Sequence, residues 1–127
     1  MAEPLYTIPD VLLAEYNLRP GGATSYRCND AAAVQVPVGR IRGPVIAPGR
    51  RGYTLERLRN VLAGIAAGAD LPPVPVYFEP ADDTVYLLDG AHRLAVTAAL
   101  GFAEIPCKPV TRDEAETFYN YPAGQRT

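Results

Sequence analysis

Residues 84–101 read TVYLLDGAHRLAVTAALG, and they contain the transition that decides the fold. The run from Thr84 to Leu88 is rich in β-forming residues and predicts a strand. The run from Leu94 to Leu100 is apolar and alanine-rich, and predicts a helix that ends at Gly101. The turn Asp89-Gly90-Ala91-His92-Arg93 joins them. A strand that passes through a glycine turn into a helix is typical of an α/β protein.

The neighbouring segments extend this pattern on both sides. Val74 to Phe78 predicts a strand that forms a hairpin with the strand at Thr84 through the turn at 80–83. Glu104 to Val110 predicts a third strand on the other side of the helix. Thr111 then has the spacing of a capping box with Glu114, which predicts a short acidic helix.

The segment before the hairpin predicts an amphipathic helix from Thr54 to Ala67, with Thr54 as its N-cap and Gly68 as its end. At helical spacing, Glu56 and Asn60 point away from the core. The apolar face consists of Leu55, Leu58, Val61, Leu62 and Ile65.

The first third of the chain is less regular. Asp10 is expected to cap a helix from Val11 to Leu18, which the Pro20-Gly21-Gly22 stretch ends. Ala33 to Val38 predicts a strand, and Pro37 places that strand near a sheet edge or an end. We therefore expect one α/β domain over 1–127, with a mixed sheet flanked by helices, a core at about 34–118 and an irregular lead-in at 1–33.

Composition limits the function. The 127 residues are 48% hydrophobic and 20% charged with a formal net charge of −2, which excludes a disordered chain and a strongly basic nucleic-acid coat. The sequence has no apolar run of about 18 residues and no visible signal peptide, so we expect a cytoplasmic protein without a membrane partner. Cys28 and Cys107 are expected to be reduced thiols, and His92 is the single histidine, so a zinc site is not expected.

Positive charge is concentrated between residues 40 and 59, where the sequence has six arginines and only one acidic residue, Glu56. Residues 39–53 are predicted to form a loop, and two of the six arginines lie on opposite flanks of the following helix. A solvated surface and an anion site for phosphate or nucleic acid are both consistent with this pattern. The arginines are Arg40, Arg42, Arg50, Arg51, Arg57 and Arg59.

The turn at 89–93 has the chemistry of a phosphate site. Gly90 permits unusual dihedral angles and close approach of a ligand, and the first amides of the helix attract anions. Arg93 can bind a phosphate bidentately, His92 can donate a hydrogen bond or pass a proton, and Asp89 can contact Mg²⁺ or orient a nucleophile. A purely structural turn, with Arg93 paired to Asp89, is the alternative.

Residues 54–110 resemble the ParB-like/sulfiredoxin superfamily. The matching segments are TLERLRNVLAGI, GADLPPVPV, VYLLDGAHRLAVTAALG and EIPCK. The resemblance implies a small α/β fold with a nucleotide phosphate on the Gly90–Arg93 turn. The superfamily includes CTP-hydrolysing partition proteins, ATP-dependent sulfiredoxins, ADP-dependent serine kinases and proteins labelled nucleases, so the fold does not select one chemistry.

This sequence differs from each branch of the superfamily, and the differences reduce the number of functions that we expect. Ala91 stands where sulfiredoxins carry their reactive cysteine, so sulfiredoxin chemistry is not expected. Partition proteins have further DNA-binding and dimerisation domains after this region, so a full partition protein is not expected either. The D-G-x-H-R form of the turn is most similar to stand-alone and kinase-like members. On the upstream helix, a gapless match places Arg59 at a nucleotide contact, whereas Glu56 stands where a basic residue is expected.

Two principal hypotheses follow. The first is an NTPase or small-molecule kinase that uses ATP, ADP or CTP with Mg²⁺, in which Asp89 and His92 are catalytic. Its phosphate contacts are Gly90, Ala91, His92, Arg93 and Arg59, with Arg50, Arg51 and Arg57 as further candidates for phosphate or nucleic acid. The second is a non-enzymatic DNA-binding module, related to partition or mobile-element accessory proteins, that uses the arginine-rich 40–59 segment. A protein-interaction domain that has lost the site is a third alternative, and a homodimer is a further partner hypothesis.

Overall fold

The computed structural model describes residues 8–21, 24–42, 55–119 and 121. Within these ranges the chain forms a five-stranded sheet with helices on both faces. The elements are α1 (Asp10–Glu15), β1 (Val34–Pro37), β2 (Ile41–Arg42), α2 (Leu55–Ala66), β3 (Val74–Glu79), β4 (Thr84–Leu87), α3 (Ala91–Ala99), β5 (Glu104–Pro109) and α4 (Arg112–Tyr119).

The sheet is mixed, as the sequence predicts. Its strand order is β1-β5-β3-β4-β2. The β3–β4 hairpin is antiparallel, with Tyr77 opposite Tyr86, and this confirms the predicted pairing. Strands β3 and β5 are parallel, whereas β1 is antiparallel to β5 at one edge, where Pro37 ends it. The α3 helix connects β4 to β5 and therefore crosses over the intervening strand β3.

The main core lies on one face of this sheet. Side chains alternate along a strand, so Val74 and Val76 of β3 face the same way as Val85 and Leu87 of β4. All four are fully buried with Leu58 of α2, Leu62 of α2 and Leu94 of α3. The opposite face holds a second cluster of Tyr77, Ala115 and Tyr121, to which α4 contributes. Burial on both faces explains why the β3 sequence is nearly continuously apolar.

The described part of the lead-in adds to the main core. Ile8, Leu12, Leu13 and Tyr26 are all buried in it. The segment that follows α1 is hydrogen-bonded to the sheet. The amide of Glu104, the first residue of β5, donates to the carbonyl of Thr24 at 3.1 Å. Core packing therefore extends before residue 34, into the segment that was expected to be a lead-in outside the core.

The α1 helix is shorter than predicted. It ends at Glu15 instead of Leu18, because Asn17 adopts φ 59° and the Leu18 amide donates to the carbonyl of Leu13. An asparagine in the left-handed region ends a helix in the same way as a glycine. Asp10 is the first helical residue and not the N-cap, and Pro9 occupies the cap position.

Other boundaries also differ from the prediction. The expected loop at 39–53 contains β2, which pairs in parallel with β4. Leu55, expected on the apolar face of α2, is 54% exposed because it lies at the first position of the helix, before the buried turns. The predicted cap Thr54 lies outside the described residues.

The end of α2 and the start of α4 agree with the prediction. Gly68 has φ +70°, and the Ala69 amide donates to the carbonyl of Gly64, which ends α2. The Thr111 hydroxyl accepts from the Glu114 amide, and the Glu114 carboxylate accepts from the Thr111 amide, which completes the capping box. Among the described helices, none combines the length and apolar character that a membrane crossing requires.

Candidate functional site

The α3 helix begins at Ala91, three residues before the predicted start at Leu94. Gly90 is its N-cap with φ 92° and ψ 31°, and the Leu94 amide donates to the carbonyl of Gly90 as the first bond of the helix. The first-turn amides lie outside the helical hydrogen-bond ladder and carry the positive end of the helix dipole. His92 and Arg93 therefore belong to this first turn and not to a loop before it.

Gly90 is required by space as well as by its dihedral angles. A Cβ atom at this position would lie 2.6 Å from Val74 Cγ1 and 3.0 Å from Arg93 Nη2. The Arg93 guanidinium thus lies against the α-carbon of the turn. The absence of a side chain on Gly90 is what allows the strand, the turn and the guanidinium to pack this closely.

Arg93 is held by backbone carbonyls. Its Nη1 atom donates to the carbonyl of Pro72 at 2.6 Å and to that of Pro73 at 3.2 Å. Within the described ranges, no carboxylate lies at ion-pair distance from Arg93. Asp89, which is exposed, instead accepts a hydrogen bond from the Gly90 amide at 2.8 Å. The alternative in which Arg93 forms a structural ion pair with Asp89 is therefore not what the structure shows.

His92 lies in a locally positive environment. Burial and the positive charge of Arg57 lower the pKa of the imidazole, and the carboxylate of Asp89 opposes them more weakly. The shift favours the neutral imidazole at pH 7. Arg57 thus contributes positive charge at the first turn of α3 from the neighbouring helix α2.

Arg59, the other predicted contact on α2, has different partners. Its Nη1 atom donates to Glu15 Oε1 at 2.7 Å and to the Tyr16 hydroxyl at 3.4 Å, both from the α1 region. The two arginines therefore flank the apolar face of α2 on opposite sides, as the helical spacing predicts. Arg50 and Arg51 lie outside the described residues.

Metal-binding groups are sparse in the described part of the chain. It contains no cluster of three or more His, Cys, Asp and Glu side chains placed to hold a metal ion. Asp89 stands as one exposed carboxylate beside the turn. A divalent cation there would take most of its ligands from water and from the ligand itself.

Tyr26 is a site residue that the sequence did not reveal. It is 5% exposed, and its hydroxyl donates to the carbonyl of Pro72, the same oxygen that accepts from Arg93. It lies in the lead-in at 1–33, which was expected to be irregular. Burial alternates from Tyr26 to Asn29, and this period of two is the signal that indicates an extended segment.

No family model matches the sequence, and no curated protein sequence matches it. Among solved structures, the chain is similar to sulfiredoxin from Arabidopsis thaliana, with 25% identity and a TM-score of 0.52 over 62% of this chain and 84% of that one. It is also similar to a C-terminally truncated chromosome-partitioning protein ParB from Caulobacter crescentus complexed with CTP-γ-S. That match has 17% identity and a TM-score of 0.53 over 76% of this chain and 55% of that one. These similarities confirm the ParB/sulfiredoxin-like fold that the sequence indicates.

Proposed function

We propose that the chain binds the phosphates of a nucleotide at the Gly90–Arg93 turn. The observation that carries the proposal is the arrangement of Arg93, which two proline carbonyls hold against the start of α3. No carboxylate among the described residues neutralises it. A fixed guanidinium beside the N-terminal amides of a helix is a suitable partner for a phosphate oxygen.

The surrounding residues add to this positive field. Arg57 contributes charge from α2, and His92 in its neutral form donates one hydrogen bond while its other nitrogen accepts a proton. Neither Gly90 nor Ala91 places a bulky side chain at the start of α3. Arg59 stays a candidate that would first have to leave Glu15.

Mg²⁺ fits this arrangement in a limited way. One exposed carboxylate, Asp89, together with phosphate oxygens and water, is a donor set that Mg²⁺ commonly accepts. When bound, the ion would neutralise charge that develops on a transferring phosphate. Such a site suits ATP, ADP or CTP with Mg²⁺, and phosphoryl transfer or hydrolysis with Asp89 and His92 beside the phosphate is the chemistry we propose.

Thiol chemistry of the sulfiredoxin type is not part of the proposal. Ala91 occupies the turn position at which sulfiredoxins carry their reactive cysteine. The thiol of Cys107 is fully buried on β5. Burial raises the pKa of the Cys107 thiol to about 12, so the nucleophilic thiolate is not available at pH 7.

The test is a calorimetric and thermal-unfolding titration with ATP, ADP, CTP and GTP, each with and without Mg²⁺. A ligand that binds the folded state at 100 times its Kd adds about 2.7 kcal/mol to the free energy of unfolding. We expect stabilisation by at least one nucleotide, and a loss of about tenfold or more in affinity in Arg93→Gln and in Arg57→Gln. Arg112→Gln is the matched control, because Arg112 pairs with Glu79 and Glu116 on the opposite face of the sheet. Failure of every nucleotide to bind the wild type would overturn the proposal.

The Asp89→Asn variant distinguishes two possible effects of the Asp89 carboxylate: binding of Mg²⁺ and electrostatic repulsion of the nucleotide phosphates. Without Mg²⁺, loss of the carboxylate removes a negative charge beside the phosphates, and we expect nucleotide affinity to rise. With Mg²⁺, the same variant loses one ligand, and we expect affinity to fall. A change of the same sign in both conditions would contradict a contact between Asp89 and the ion.

DNA is the alternative partner. Arg40 is only weakly engaged, at 3.9 Å from Asp83, and Arg42 is exposed on the edge strand β2. A DNA-binding function predicts affinity for duplex or single strands that falls steeply with salt and falls further in Arg40→Gln and Arg42→Gln. Unchanged DNA binding in Arg93→Gln would show that such a surface is separate from the turn.

A further inference from the structure

We infer that Tyr26 is a positioning residue for Arg93, which it aligns for phosphate binding through the carbonyl of Pro72 that both side chains share. The inference deepens the proposed function and rests on it for its ligand-binding consequence. The positioning itself is a property of the free protein and is testable without any ligand.

The shared acceptor is the first step of the argument. The Tyr26 hydroxyl donates to the carbonyl oxygen of Pro72 at 3.1 Å, and Arg93 Nη1 donates to the same oxygen at 2.6 Å. A carbonyl oxygen has two lone pairs and can accept both. Burial keeps the phenol protonated by raising its pKa, and the nearby charge of Arg93 opposes this only in part, so Tyr26 stays a donor. Two donors at one oxygen fix both the carbonyl and the guanidinium.

The second step is that the proline segment depends on the Tyr26 segment for its position. Proline has no amide hydrogen, so Pro72 and Pro73 cannot donate hydrogen bonds of their own. The residue before them is held instead, because the Leu71 amide donates to the carbonyl of Arg27 at 2.9 Å. The Asn29 amide in turn donates to the carbonyl of Leu71 at 3.3 Å. The extended segment from Tyr26 to Asn29 therefore supports the platform on which Arg93 rests.

The third step concerns the guanidinium itself. On one side Arg93 is held by the two proline carbonyls, and on the other it lies against Gly90 at the start of α3. An arginine that is already held in this way loses little rotational freedom when an anion binds. Without the Tyr26 hydroxyl, the Pro72 carbonyl is fixed by one donor fewer, and the guanidinium that rests on it is less ordered before an anion binds.

The test compares Tyr26→Phe with Tyr86→Phe. The first substitution keeps the buried ring and removes only the hydroxyl. Tyr86→Phe is the matched control, because its hydroxyl donates to Asp82 at 2.7 Å on the opposite face of the sheet. The first readout is ¹⁵N relaxation of the Arg93 Nε–H group, assigned by its loss in Arg93→Gln. The second is calorimetric affinity for inorganic tripolyphosphate, which contains no base.

We expect an ordered Arg93 side chain in the wild type and in Tyr86→Phe, and a mobile one in Tyr26→Phe. Tripolyphosphate affinity should fall about three- to tenfold in Tyr26→Phe, the range expected for ordering one long side chain. It should fall no further when Tyr26→Phe is added to Arg93→Gln, since the effect acts through Arg93. A loss of overall stability alone would not produce this dependence on Arg93.

Other outcomes have distinct meanings. An Arg93 side chain that stays equally ordered in Tyr26→Phe would overturn the inference, whatever the affinities are. An equal loss of affinity when Tyr26→Phe is introduced into the wild type and into the Arg93→Gln variant would also overturn it. A mobile Arg93 in Tyr26→Phe, with no tripolyphosphate or nucleotide binding to the wild type, would confirm the positioning and overturn the proposed function instead.

Discussion

Gly90 is subject to two independent constraints at the residue scale. Its φ of +92° lies in the left-handed region, and its missing side chain leaves room for Val74 and Arg93. We expect Gly90→Ala to lower the free energy of unfolding by roughly 2–5 kcal/mol, as the sum of dihedral strain and overpacking. Denaturant titration followed by circular dichroism measures this.

Gly68→Ala is the control that separates these two costs. Gly68 also has a positive φ, +70°, but nothing lies within 4 Å of the Cβ that the substitution adds. Only the dihedral strain applies, so the loss should be about 1–2 kcal/mol. Equal losses at Gly68 and Gly90 would show that the close approach of Val74 contributes nothing.

His92 provides a direct probe of the field at the turn, since it is the single histidine of the chain. Its pKa is lowered by burial first and by Arg57 second. Arg57→Gln should therefore raise the pKa of His92, and a bound polyphosphate should raise it further, because negative charge favours the imidazolium. Titration of its Cε1–H proton by NMR gives the value in each state.

The imidazole of His92 also makes the free energy of unfolding depend on pH. A histidine whose pKa is depressed in the folded state binds fewer protons there than in the unfolded chain. Its contribution is present above the unfolded pKa of about 6.5 and is lost as pH falls through the folded value. In His92→Gln, the decrease in the free energy of unfolding below pH 6.5 should be smaller. An unchanged pH profile would contradict the depressed pKa.

At the scale of elements, α4 depends on few contacts. Ala115 is its buried residue. Arg112 and Tyr121 hold the helix against the face of the sheet opposite the main core. Arg112 lies 5.2 Å from the ring centroid of Tyr121, and the Tyr121 hydroxyl donates to Glu79 at 2.7 Å. Side-chain packing beyond the end of the helix therefore fixes its position.

Two aromatic substitutions test this arrangement. Tyr121 is 6% exposed and Phe118 is 73% exposed. Tyr121→Ala should destabilise the protein by about 3 kcal/mol or more, in the range for a buried aromatic residue. Phe118→Ala should change stability by no more than about 0.5 kcal/mol. Similar effects of the two substitutions on thermal unfolding would show that α4 is held through a different surface.

At the scale of the whole molecule, the described lead-in and the sheet share one core. Leu13 of α1 is 2% exposed within the same cluster as the strands. We expect Leu13→Ala to cost about 2–5 kcal/mol and to leave a single unfolding transition, because the segment unfolds with the domain. Val11→Ala, at a position 70% exposed, is the control and should be close to neutral. A separate early transition in either variant would show that the lead-in is an independent unit.

The sequence by itself determined the elements around the turn. Periodicity predicted α2 and the β3–β4 hairpin, and the Thr111–Glu114 spacing predicted the capping box, because these depend on residues a few positions apart. The D-G-x-H-R string identified the strand-to-helix turn for the same reason. Its resemblance to the ParB-like/sulfiredoxin superfamily indicated the fold that the structural comparisons confirm.

Tertiary structure alone decided the partners of the turn. The carbonyl of Pro72 lies 21 residues from Arg93 and 46 from Tyr26, and no local pattern connects them. The approach of Arg57 to His92, and the pairing of Arg59 with Glu15, likewise depend on how α2 packs between its neighbours. Sequence periodicity specifies which face of an element is apolar, but the packing of those faces across the core determines which polar groups meet at their edges.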